Sequence, residues 1–223
     1  MGYIEVVGLP GAGKSTLFSL LRSLECAALN AAVVDPVQPA GGKALANMLS
    51  LVARATAREP GALLPFVARQ DGRWLLSKLG YRMAALNLRR PARGSIVLDG
   101  GVIQPLISFV CEYHGGRRDF PFEPIWTSVP LPAGIIYLNT SASEANARYV
   151  RRQCESMRRQ HVAVSMEDFE AASSLCDVIV SRFAGGGGNV LTLQSPALGD
   201  TAALQEVASR IEHFSAKMMD QRQ

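Results

Sequence analysis

Apolar and polar positions follow two rhythms along the chain. Five short runs are almost continuously apolar: Tyr3 to Val7, Ala31 to Asp35, Ser95 to Asp99, Gly134 to Leu138 and Val190 to Leu193. Runs of that length, without strict alternation, are what a parallel sheet requires when helices cover both of its faces. Between them the apolar residues fall at helical spacing. A helix is predicted over Lys14 to Leu24, Leu45, Met48, Leu49 and Val52 make a stripe after the second run, and Leu75, Leu79, Met83 and Leu86 make another. Ile103 to Tyr113, Ser143 to Arg159 and Ala202 to Met218 complete the set. Strand and helix alternate, so the predicted fold is α/β, a five-stranded parallel sheet between two helical layers. No fixed repeat or linker divides it, and residues 1–223 read as one domain.

Local chemistry marks the boundaries. Ser141 with Glu144 has the spacing of a capping box, and Pro91 with Gly94 closes the long third helical region before Ser95. The run Gly185 to Gly188 precedes a strand and opens no helix, so it reads as a flexible connection rather than a phosphate cradle.

Composition narrows the classes. With 223 residues, 48% of them hydrophobic and 19% charged, the chain can bury a full core, which excludes collagen-like, disulfide-dense and disordered proteins. Its 23 basic residues against 19 acidic ones give a net charge of +4, and 19 of the basic residues are arginine. That balance suits anionic small molecules better than a duplex-binding arm, so no nucleic-acid partner is expected. Cys26, Cys111, Cys154 and Cys176 lie far apart without metal-ligand spacing and read as reduced thiols. Met1 and Gly2 lead into no basic leader, and Val6 stands where a myristoylation signal would place Ser or Thr. The longest apolar stretch, Leu17 to Val34, carries Arg22 and Glu25, so no membrane span is expected and a cytoplasmic location is.

The strongest chemical signal is Gly8-Leu9-Pro10-Gly11-Ala12-Gly13-Lys14-Ser15-Thr16, which matches G-x-x-x-x-G-K-[ST] between the first strand and the first helix. The glycines let the backbone curl so that several N–H groups face one phosphate, and the helix adds its positive end. Lys14 reaches the terminal phosphates and the Ser15 hydroxyl takes a place on Mg²⁺. ATP with Mg²⁺ is therefore the expected cofactor pair, on a three-layer P-loop NTPase fold. Ser95 to Asp99 is a hydrophobic strand ending in an acid, which makes Asp99 a second candidate for Mg²⁺ beside the alternative of a helix cap.

A GTPase is disfavoured, because no Asn-Lys-x-Asp element occurs and Val102 stands where a switch would need glycine. Ser215-Ala216-Lys217 looks like a guanine-reading triplet, but it lies inside the last amphipathic helix. Transporter-type and ring-forming ATPases usually need longer chains. A small-molecule kinase remains.

Asp35-Pro36-Val37 at the end of the second run, Asp99 at the end of the third and an Arg-rich helix after the fourth give the chain an outline that resembles the thymidylate kinase and deoxynucleoside kinase group. Gly41-Gly42 and Leu98-Asp99-Gly100 are similar to elements of thymidylate and adenylate kinases respectively, whereas Gly100 stands where thymidylate and nucleoside kinases carry arginine. The resemblance implies that Asp35 serves the acceptor hydroxyl, and a carboxylate at a strand's carboxyl edge can do so; a turn residue before Pro36 is the alternative. It also implies that Gln194-Ser195-Pro196 holds an adenine ring.

Arg148, Arg151, Arg152, Arg158 and Arg159 share one broad helical face and read as a lid over the triphosphate, or else as a solvated face paired with Glu144 and Glu155. Arg148, Arg151 and Arg152 join Lys14 and Asp35 as candidate catalytic residues. Arg69 and Arg73, with Trp74 and Tyr81, are either acceptor contacts or parts of a helix packed in the core. Arg117-Arg118 reads as surface, and His114, His161 and His213 as structural. The sequence thus predicts transfer of the γ-phosphoryl of ATP to a small acceptor, a nucleoside or nucleoside monophosphate in the first instance. A nucleotide-dependent switch, an accessory ATPase or a kinase for another metabolite remains open, as does a homodimer.

Overall fold

The computed structural model describes residues 3–23, 41–88, 96–113, 120–156, 164–194 and 201–220; the Asp99 side chain lies outside that description. Four parallel strands form one sheet in the order β2-β1-β3-β4, with β1 at Tyr3–Val7, β2 at Ile96–Asp99, β3 at Gly134–Asn139 and β4 at Asn189–Gln194. The expected run Ala31 to Asp35 lies outside the described residues, so the described sheet has four strands where the sequence predicts five.

Burial explains why these runs lack alternation. Ile4 and Val6 point to one face of β1, Glu5 and Val7 to the other, and all four are 0% exposed. Ile135, Ile136, Tyr137 and Leu138 of β3 are likewise buried. Register puts Val6 beside Asp99 and Val7 beside Tyr137, so the carboxyl ends of the three strands lie together, where parallel α/β sheets bind ligands.

Nine helices flank the sheet among the described residues: α1 (Lys14–Ser23), α2 (Gly41–Arg58), α3 (Pro60–Ala68), α4 (Gln70–Leu88), α5 (Gln104–Glu112), α6 (Phe122–Trp126), α7 (Ala142–Ser156), α8 (Met166–Gly185) and α9 (Thr201–Asp220). None is long and apolar enough to cross a membrane. On α4, Leu75, Leu79 and Met83 face the core as the periodicity predicts. On α2 the expected stripe divides. Leu51 and Ala55 are fully buried, with Met48 and Val52 packed against the core, whereas Leu45 and Leu49 are 53% and 57% exposed. The helix is apolar on more than one side, and contact with α4 selects the face at Met48, Leu51 and Ala55.

Helix starts show a similar division. The Ser141 hydroxyl accepts the Glu144 amide at 3.3 Å, but the Glu144 carboxylate turns to Arg148. The complete capping box lies at α8: Asp168 N donates to Ser165 Oγ at 3.2 Å and Ser165 N donates to Asp168 Oδ2 at 2.7 Å. Aromatic contacts bind α3, α4 and α5 into one layer, with Phe66 against Phe109 at 5.7 Å and Trp74 against Tyr113 at 4.7 Å between ring centroids. α9 carries Ser215-Ala216-Lys217 within a continuous helix, with Ser215 buried.

Candidate active site

β1 ends at Val7 and α1 starts at Lys14, so Gly8 to Gly13 make the turn between them. Gly11 and Gly13 hold φ at +87° and +90°, where a side chain is strained. Gly11 is also pressed onto α7: a Cβ there would lie 2.2 Å from the Ala145 carbonyl oxygen. The loop and the first turn of α7 are thereby in direct backbone contact. The Lys14 ammonium arches over the loop and donates to the carbonyls of Gly8 and Leu9, both at 2.8 Å.

The turn opens into a cavity of about 430 Å³ lined by Pro10, Gly11, Gly13, Lys14, Ser15 and Thr16 from the loop and α1, Gln104 and Ser108 from α5, and Arg148, Arg151 and Arg152 from α7. Lys14 and the three arginines give it a concentrated positive charge, and none of its described lining residues is acidic. Arg148 pairs with Glu144 one turn back, while Arg151 and Arg152 are exposed. The Arg152 guanidinium lies 6.0 Å from the Tyr149 ring, which itself meets Phe169 of α8 edge-on at 5.6 Å. A glycine loop without Cβ atoms at its close contacts, an ammonium at its mouth and a wall of guanidinium groups fit a polyphosphate. Ser15 and Thr16 both expose their hydroxyls at the cavity in the first turn of α1.

Of the sequence candidates, Lys14, Ser15, Thr16, most of the loop, Arg148, Arg151 and Arg152 are brought together. Asp35, Arg158, Arg159, Arg117, Arg118, His114, His161, Ser195 and Pro196 lie outside the described residues, as does the Asp99 side chain. Arg69 does not join the cavity; it forms an ion pair with Asp71, and Arg73 donates to the Ala68 carbonyl at 3.3 Å. Trp74 packs on Tyr113 with the Lys78 ammonium 4.0 Å from its ring centre.

Gln104 and Ser108 are cavity residues that periodicity alone did not single out. Together with Glu112 they form a polar stripe at every fourth position on an otherwise apolar α5, which is the signal available in the sequence. Burial raises the Glu112 carboxyl above its ordinary value, opposed by the positive charges of Lys78, Arg152 and Lys14. A second carboxylate, Glu5, stands fully buried beneath the site, and burial pushes it up to about 7 against the opposing effect of backbone N–H bonds and Arg82. Cys176 is buried and its thiol is pushed up to about 12, chiefly by burial, which makes it inert.

No family model and no curated protein matches the sequence. Solved structures do. A deoxyadenosine kinase from M. mycoides, solved with dCMP and a flexible dCDP bound, superposes with a TM-score of 0.59 at 15% identity, over 95% of this chain and 99% of that one. The same kinase with dATP bound gives 0.58 at 14% identity, and with dCTP bound 0.53 at 13%, over the same shares of each chain. The chain has the fold of these P-loop deoxynucleoside kinases across nearly its whole length, in accord with the nucleoside-kinase side of the resemblance carried by its motifs.

Proposed function

We propose that the protein is a phosphotransferase that moves the γ-phosphoryl group of ATP to a small acceptor, a nucleoside or nucleoside monophosphate. The observation that carries this reading is the convergence of Lys14, Arg148, Arg151 and Arg152 on one cavity at the mouth of the glycine loop. Phosphoryl transfer needs little covalent chemistry from the protein, so positioning and charge neutralisation do most of the work. The loop amides and Lys14 hold the donor phosphates, and Arg151 and Arg152 supply positive charge beside the group in flight. Arg148, half engaged with Glu144, orders that wall. Ser15 and Asp99 are the residues that would hold Mg²⁺, which would offset charge on the donor phosphates. Asp35 is assigned to the acceptor hydroxyl, which it would orient or deprotonate. The polar stripe Gln104, Ser108 and Glu112 runs from the loop along α5 toward Lys78, which suits an acceptor bearing hydroxyl groups.

The test is ADP release from Mg-ATP across nucleosides, nucleoside monophosphates and other phosphorylatable metabolites, with Lys14→Ala as the blank. One acceptor class should stimulate release strongly, and Lys14→Ala should abolish it while remaining folded. A flat panel with tight ATP binding would replace the kinase with a nucleotide-dependent switch, and a near-normal rate in Lys14→Ala would remove the site.

A further inference from the structure

α5 begins without a local cap. Its first turn leaves the amides of Val102, Ile103 and Gln104 in need of acceptors; Pro105 has no N–H, and Leu106 N donates to the Ile103 carbonyl. The missing acceptor comes from β1. Glu5 Oε2 accepts Val102 N at 3.0 Å, and Glu5 Oε1 accepts Ile103 N at 2.9 Å and Gln104 N at 2.8 Å. The turn comes so near that a Cβ on Gly101 would lie 2.5 Å from Glu5 Oε2. Gln104, fixed in this way, aims its side chain back across the sheet edge: its Oε1 accepts the Gly8 amide at 3.2 Å, and its Nε2 donates to Ser108 Oγ at 3.2 Å. A continuous hydrogen-bonded path therefore runs from the interior of β1 through the β2–α5 turn to the first residue of the glycine loop.

We propose that Glu5 and Gln104 are positioning residues acting in series, in which Glu5 clamps the β2–α5 turn and Gln104 transmits that position to Gly8, setting the loop for phosphate capture. Glu5 is fully buried and does not line the cavity. An acid in the middle of an apolar, fully covered strand has no packing advantage over valine, and its three backbone bonds are what make its burial tolerable. Fixing the strand-end turn and the loop to each other also fixes Asp99, the last residue of β2, relative to the loop backbone.

The inference rests on the reading of the loop as a nucleotide site, and the experiment separates the two. Gln104→Met keeps the side chain's length, leaves the Glu5 clamp on the backbone intact and removes only the acceptor of the Gly8 amide. Calorimetry with Mg-ADP should show affinity about tenfold weaker in Gln104→Met, with the melting temperature of the ligand-free protein almost unchanged. Glu5→Gln should show a similar loss of affinity together with a lower melting temperature, and the double variant should bind no more weakly than Glu5→Gln alone, as groups in series do. Gln104→Met binding ADP like the parent, or losses that multiply in the double variant, would overturn the proposal. Should Glu5→Gln fail to fold, Gly101→Ala, whose methyl group crowds the carboxylate, replaces it with the same expectations. Amide exchange at residues 8–14 without ligand is read in parallel: it should quicken in Gln104→Met and stay unchanged in Arg69→Ala, whose side chain lies away from the loop, and equal rates in Gln104→Met and the parent would sink the relay. A parent that binds no ADP but shows this exchange pattern would refute the nucleotide reading and leave the relay standing.

Discussion

Two arginine-bearing regions of this molecule have opposite fates. On α7, Arg148, Arg151 and Arg152 line the phosphate-sized cavity, whereas at the α3–α4 corner Arg69 and Arg73 are absorbed by Asp71 and the Ala68 carbonyl. Sheet order accounts for the first. α7 leaves β3, the hydrogen-bonded neighbour of β1, so its opening turns arrive beside the loop that leaves β1 and press on Gly11. Sequence proximity accounts for the second, since Asp71 stands two residues beyond Arg69 and receives its guanidinium through two hydrogen bonds. An arginine is therefore available for catalysis when topology places it at the strand ends and no carboxylate on its own element has already claimed it. Arg148 lies between the two cases, at the cavity but paired with Glu144.

The largest expected effect tests the α7 side. Replacing Arg151 and Arg152 together by alanine should lower kcat about a thousandfold, within the range that arginine contributes to phosphoryl transfer, with the fold retained because both side chains are exposed. Steady-state ADP release with the acceptor that the panel identifies provides the check. A loss below tenfold would mean that these arginines are a solvated face and that the contrast with Arg69 has no catalytic content.

The glycine loop was legible because its residues, Gly8 to Thr16, are nine consecutive positions, and the shared helix of Arg148, Arg151 and Arg152 because helical period is a local property. Four of the five expected strands stand in the sheet for the same reason. Other features needed three-dimensional information. Ser141-Glu144 and Ser165-Asp168 fit one capping pattern, yet only the second closes in both directions, because Arg148 draws Glu144 away. Leu45 and Leu49 are as apolar as Leu51, and only the position of α4 decides which of them is covered. Gln104 becomes a cavity residue through a bond to Gly8 that spans 96 positions, a distance over which no periodicity operates. Glu5 sits inside a run read only as apolar, and the three amides it holds lie 97 to 99 positions away.

The second effect is on stability and concerns the ground beneath the cavity. Glu5 titrates near 7 in the folded protein against 4.5 for an ordinary glutamate, so between those values the folded state binds more protons than the unfolded one. Stability attributable to this group is therefore greatest below pH 4.5, declines as pH rises toward 7 and levels off above it, by at most about 3 kcal/mol. Denaturant titrations at pH 5 and pH 8 should show the fall in the parent and little of it in Glu5→Gln. An equal slope in both would place the proton elsewhere.

Within the stripe, Arg152→Ala should cost roughly tenfold in kcat and Arg148→Ala less, since Arg148 already spends part of its hydrogen-bonding capacity on Glu144. Removing that competitor should level the ranking. In a Glu144→Gln background Arg148 is released to face the cavity, and the further loss on Arg148→Ala should rise to match that of Arg152→Ala. A ranking that stays the same in both backgrounds would show that Glu144 does not compete for Arg148.

The smallest effect belongs to the corner. Arg69 and Asp71 are partly exposed, with side-chain exposures of 32% and 19%, so solvent screens their attraction and the pair contributes on the order of 1 kcal/mol or less. Arg69→Ala should therefore lower stability by about that amount and leave kcat and KM for the acceptor within twofold of the parent. The Asp71 carboxylate also accepts the Gly72 amide at 2.9 Å, so Asp71→Ala should cost more than Arg69→Ala, by roughly one hydrogen bond. Thermal denaturation with parallel kinetics decides between a structural and a functional corner. A tenfold rise in acceptor KM in Arg69→Ala with the melting temperature unchanged would move this arginine into the substrate's path, and sheet topology would no longer explain why the two regions differ.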